Sequence, residues 1–138
     1  MRRIILILIP ALITIAVCTL ANAQTANDAW VGIWYAHVIG QPTGTLTLAT
    51  DTGELGGTVV LDIISGKGGT PHVIASEPHV LMNPHVDGNV LSFQVKTKRS
   101  DATFLADFTV TLVAPGKANL HCTNCGASAP VIELTKDL

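Results

Sequence analysis

Residues 103–113 place Phe104, Ala106, Phe108, Val110 and Leu112 at every second position, with Asp107, Thr109 and Thr111 between them. Successive side chains of an extended backbone point to opposite faces, so this run has one apolar and one polar side. A strand of that kind is half-buried, as in an antiparallel sheet that is wet on one face. The same period recurs at 90–96, where Leu91, Phe93 and Val95 alternate with Ser92, Gln94 and Lys96, at 43–50 through Leu46 and Leu48, and at 131–135 through Ile132 and Leu134. Extended runs are also predicted at 30–38, 54–64 and 118–122. Shorter ones fall at 72–76 and 79–82, where Pro71, Pro78 and Pro84 remove ladder donors and point to sheet edges or irregular crossings.

Turn residues punctuate these runs. Asp51-Thr52-Gly53, Asp87-Gly88-Asn89, residues 98–101 and Pro115-Gly116-Lys117 each suit a reversal. Gly56-Gly57 predicts a bulge or a close backbone approach. Residues 65–71 form a glycine-rich loop, but Gly66-Lys67-Gly68-Gly69-Thr70 lacks the first glycine of a phosphate-cradling loop and is not read as one. No stretch is long and periodic enough for a substantial helix. The expected fold is all-β, a small antiparallel up-and-down barrel of about eight strands, because closure removes the exposed edges that invite aggregation.

The start of the chain has a different character. Arg2 and Arg3 precede an almost wholly apolar stretch, 4–20, and Ala21-Asn22-Ala23 presents small residues where a signal peptidase reads them. A cleaved signal peptide is therefore expected at 1–23, leaving a single domain at 24–138 that is exported, either periplasmic or secreted. The apolar run of about 17 residues, broken by Pro10, is short for a membrane span, which needs about 20. No transmembrane span is expected after cleavage. Val17 before Cys18 is too bulky for a lipidation signal. Cleavage removes Arg2 and Arg3 but no acidic residue, which moves the formal net charge from −2 to about −4. Only Lys96, Lys98 and Arg99 cluster among the basic residues, so no nucleic-acid partner is expected.

His121, Cys122 and Cys125 form a compact His-Cys-x-x-Cys unit followed by Gly126. In an oxidising compartment the pair Cys122 and Cys125 reads as a structural disulfide. The alternative is a periplasmic zinc or copper site with His121, Cys122 and Cys125 as three ligands. A redox dithiol would want its first cysteine at a helix N-terminus, and a covalent haem would need histidine in place of Gly126. His72, His79 and His85 lie in three Pro-His-Val units whose unequal spacing cannot keep them on one face of a regular strand. Asp62, Glu77 and Asp107 stand near apolar segments, yet no serine or cysteine occupies a nucleophile-elbow context. Neither enzymatic activity nor a cofactor is expected.

Trp30-Val31-Gly32-Ile33-Trp34-Tyr35 carries the G-x-W(-Y) element that opens the first strand of lipocalin-like (calycin) barrels, and the chain resembles that family. Gly32 with Trp34, Gly57-Thr58, the Asp-Gly-Asn-x-Leu-x-Phe run from Asp87 to Phe93, and Ile132-Glu133-Leu134-Thr135-Lys136 are also similar to a group of small exported bacterial β-barrel domains of uncharacterised function. The resemblance implies that Trp34 plugs the closed end of the barrel and that a late basic residue, Lys136, caps it. It also implies a non-enzymatic role, binding a small apolar or amphipathic ligand or serving as an envelope interaction module. The ligand-facing candidates are Tyr35, Phe93, Phe104 and Phe108.

Overall fold

The computed structural model describes residues 26–65, 69–70, 72–99 and 101–137. The expected signal peptide and the centre of the glycine-rich loop, 66–68, lie outside the described residues. The strands are β1 (Gly32–Val38), β2 (Gln41–Asp51), β3 (Glu54–Ser65), β4 (His72–Val80), β5 (Met82–Asp87), β6 (Val90–Arg99), β7 (Ala102–Ala114), β8 (Lys117–Cys122) and β9 (Ile132–Lys136). All belong to one antiparallel sheet in the order β4-β3-β2-β1-β9-β8-β7-β6-β5. The first and last strands thus meet in the middle of the sheet. No helix among the described residues is long and apolar enough to cross a membrane.

Alternation does what a period of two demands. Trp34 pairs with Leu46 and Leu46 with Val59, while Phe93 faces Phe108, Val110 faces Leu120 and Ala118 faces Leu134 across neighbouring strands. These side chains share one face and make one core. Each fully buried Leu, such as Leu46, Leu91, Leu120 or Leu134, stabilises the fold by roughly 1.5–3 kcal/mol through lost contact with water. The Gly56-Gly57 pair produces a close approach rather than a bulge. The β2–β3 ladder runs unbroken from Gly44↔Leu61 to Asp51↔Glu54, and a Cβ on Gly57 would run into the Thr47 carbonyl.

The expected closure into a barrel is not found. β4 and β5 end the sheet on opposite sides and form no ladder with each other. The chain changes sides at Leu81, which is buried and whose N–H donates to the Gly57 carbonyl at 3.0 Å. Before it, β4 pairs with β3; after it, β5 pairs with β6 only as far as Gln94. Residues 95–99 of β6 therefore pair with β7 alone. Pro78 removes a donor from β4, and β4 forms no ladder with residues 95–99 of β6, which leaves a seam between them. His79 reaches across it, its Nδ1 3.2 Å from the Lys96 carbonyl oxygen and its Nε2 3.7 Å from Glu77 Oε2.

Two tryptophans pack at the start of β1. A helical turn at 26–28 leads into Trp30, whose N–H donates to the Asn27 carbonyl at 2.9 Å. Trp30 and Trp34 are both fully buried with ring centroids 6.0 Å apart, and Trp34 Nε1 donates to the Trp30 carbonyl at 2.8 Å. Gly32 opens β1 opposite Leu48. Lys136 Nζ lies 4.9 Å from the centroid of the Trp34 ring and donates to the carbonyls of Ala29 at 2.8 Å and Val31 at 3.1 Å. Its ammonium thus satisfies two carbonyls of the lead segment while lying against the electron-rich ring face.

Candidate functional site

β1 runs from the tryptophan pair through the inward residues Trp34, Ala36 and Val38, so Val38 stands about 13 Å along the strand from Trp34. There the sheet holds a cleft of about 640 Å³ walled by Ala36, Val38, Thr43, Leu61, Asp62 and Ile132. Leu61 also lines a second recess of about 310 Å³, bounded by Val95, Phe104, Phe108 and Lys98.

Thr43 reaches this cleft through a break in register. Its neighbours Thr45 and Thr47 alternate with the inward Leu46 and Leu48, so an unbroken strand would turn Thr43 outward. The β1–β2 ladder instead passes from Ala36↔Gly44 to His37↔Pro42 and leaves Thr43 without a partner. A bulge of this kind bends the strand and re-aims a side chain. Gly44 makes it possible, because its φ is +148° and a Cβ there would run into the Val60 carbonyl. The Thr43 hydroxyl oxygen ends up buried, with no hydrogen-bond partner among the described residues. Asp62 stands at the lip, where the Ser76 hydroxyl donates to its Oδ1 at 2.6 Å.

The four aromatic candidates separate. Phe104 and Phe108 line the second recess together. Phe93 lies behind them in the core, stacked on Phe108 with centroids 5.5 Å apart. Tyr35 alternates with the inward Trp34 and Ala36, so it faces outward, half-exposed, in a groove of about 380 Å³ on the other face that it shares with His37, Thr45, Val60 and Asp62, the last of which also lines the cleft. Sequence reading missed Val38, Thr43, Leu61, Asp62 and Ile132 as cleft residues. The available signal was Pro42 and Gly44 inside an otherwise regular strand pattern.

Cys122 and Cys125 form a disulfide with their Cα atoms 5.5 Å apart. His121 and Cys122 are adjacent on β8 and so point to opposite faces. His121 pairs with Thr109, whereas Cys122 is buried opposite Phe108. No group of three or more His, Cys, Asp or Glu side chains converges among the described residues. His72 and His79 lie on β4 and His85 on β5, with His72 and His85 exposed.

The loop inside the disulfide is held by its own polar side chains. Asn124 Oδ1 accepts from the Asp107 N–H at 2.8 Å while its Nδ2 donates to the Leu105 carbonyl at 2.9 Å and to Asp107 Oδ2 at 2.8 Å. The amide thereby continues the β7–β8 ladder as a peptide group would. Gln94 Nε2 donates to the other Asp107 oxygen at 2.8 Å, so this carboxylate is a structural tie between β6, β7 and the loop. Replacing both cysteines by serine is expected to lower stability by about 2 kcal/mol on the loop-entropy estimate. Urea denaturation of the oxidised protein and of the Cys122→Ser, Cys125→Ser variant measures it; equal midpoints would show that the loop stays closed without the bond.

No known protein family, curated protein or solved structure matches the chain.

Proposed function

We propose that this chain is an exported, non-enzymatic, lipocalin-like β domain that takes a small apolar or amphipathic ligand into the cleft beside Leu61. The observation that carries the reading is the cleft itself, about 640 Å³ between Ala36, Val38, Leu61 and Ile132, at the end of β1 away from the tryptophan plug. Small-molecule sites are commonly clefts of about 300–1,000 Å³ with apolar walls and few polar groups, and this one matches on both counts. The G-x-W opening of β1 and the signal-like start of the chain support the same assignment. In this reading the sheet is a barrel opened along one seam, with the ligand entering at the unplugged end.

Titration with N-phenyl-1-naphthylamine, a neutral apolar fluorophore, tests it. One probe per chain is expected, with emission rising on transfer out of water. Val38→Arg places a charge on the cleft wall and is expected to weaken binding at least about ten-fold, because the probe cannot repay its desolvation. A wild-type protein that leaves the probe dark, or a variant that binds it equally well, would remove the cleft as the site and favour an interaction module.

A further inference from the structure

We infer that Leu61 sets the specificity of this site: it is a movable partition between the two recesses, and the ligand is an unbranched chain that passes it and fills both. The assignment rests on the cleft being the ligand site. The register shows where the core stops. Trp34↔Leu46↔Val59 is a filled row, with all three side chains buried. Two residues further along each strand, the next row on the same face is Ala36↔Gly44↔Leu61. A methyl group and a hydrogen stand there in place of an indole and an isobutyl group, so Leu61 is the one large side chain that β1, β2 and β3 supply at that level. It lines both of the spaces left over, about 640 Å³ with Val38 and Ile132 and about 310 Å³ with Phe104 and Phe108.

Little holds the Leu61 side chain in one position. Across the β2 ladder it faces Gly44, which has no side chain, and across the β4 ladder it faces Glu77, which is exposed and lies 3.7 Å from His79. Cross-strand pairs are what restrict a side chain on a sheet, and Leu61 has an apolar one on neither ladder. It is half-buried, whereas Val59, the inward residue before it, is buried. A leucine with space beside it exchanges staggered rotamers without moving the backbone. A linear chain can then lie along Val38 and Ile132, pass Leu61 and end against Phe104 and Phe108.

The experiment displaces bound N-phenyl-1-naphthylamine with hexanol, octanol, decanol and dodecanol, uncharged chains that vary in length alone. On the wild-type protein, competition is expected to strengthen about four-fold for each added methylene through dodecanol. Leu61→Trp is expected to leave hexanol unchanged and to weaken dodecanol at least about ten-fold, because the larger ring closes the passage. Leu61→Ala is expected to keep the gain with length, with the circular dichroism of each variant confirming the fold. A second measurement needs no change at Leu61: ω-bromododecanol is expected to quench the indole introduced by Phe104→Trp, against the wild-type signal of Trp30 and Trp34, while ω-bromooctanol leaves it bright. A Leu61→Trp series parallel to the wild-type one, or an indole that ω-bromododecanol does not quench, overturns the partition while leaving the cleft as a ligand site. A probe that never binds overturns both.

Discussion

Trp34→Ala is expected to destabilise the domain by about 3–5 kcal/mol, a large part of the 5–15 kcal/mol that holds a typical domain together. The residue is fully buried near the start of β1, packs against Trp30, and donates its indole N–H to the Trp30 carbonyl. Truncation leaves a cavity that the surrounding strands can only partly fill, and it orphans that carbonyl. Lys136 should feel the change as well, since its ammonium rests over the lost ring. A double-mutant cycle with Lys136→Met is therefore expected to be non-additive by at least about 0.5 kcal/mol. Trp34→Phe retains an apolar ring and should cost less than half as much. Chemical denaturation of the five proteins measures all of this; a Trp34→Ala variant within about 1 kcal/mol of wild type would mean that the tryptophan pair does not carry the fold.

Gly44→Ala is the second substitution with a large expected effect, about 3 kcal/mol or more. An alanine there meets two penalties at once: a φ of +148°, which side chains rarely adopt, and a collision with the Val60 carbonyl. Gly53 provides the control, because its φ is +86° but nothing lies within 4 Å of a Cβ built on it. Gly53→Ala should cost only about 1 kcal/mol. Equal losses would show that the contact with β3 is unimportant. Relief of the collision must shift β2 against β3 and carry Thr43 with it, so Gly44→Ala should also lose N-phenyl-1-naphthylamine binding at temperatures where it is still folded. Retention of the probe at wild-type affinity would separate the bulge from the cleft.

The two substitutions differ in how visible their targets are in the sequence. Trp34 stands in a G-x-W element with alternating neighbours, and that alternation alone puts it on the face of Ala36 and opposite Tyr35. Carried through strictly, the same rule separates Tyr35 from Phe93, Phe104 and Phe108, which were grouped for their chemistry. Gly44 reads as an oddity within β2, but the residue it re-aims is identifiable only when the register against β1 is known. Thr43 was accordingly invisible as a cleft residue. Asp62 was visible as a carboxyl near apolar residues, without any sign that Thr43 lines the same cleft.

Alternating side chains, turn residues and prolines were enough to define an all-β chain, its inward faces along β2, β6, β7 and β9, its hairpins, and prolines near its irregular edges. These are local properties, read within a few residues of one another. Long-range pairing set the rest: β1 beside β9 at the sheet's centre, the side change at Leu81, the seam that β4 and β6 leave unpaired, and the bulge that turns Thr43 into a cleft. A period of two states which face a residue takes but not which strand lies next to it. Neighbours are chosen by packing among residues far apart in the chain, and the cleft exists only where those choices leave volume unfilled.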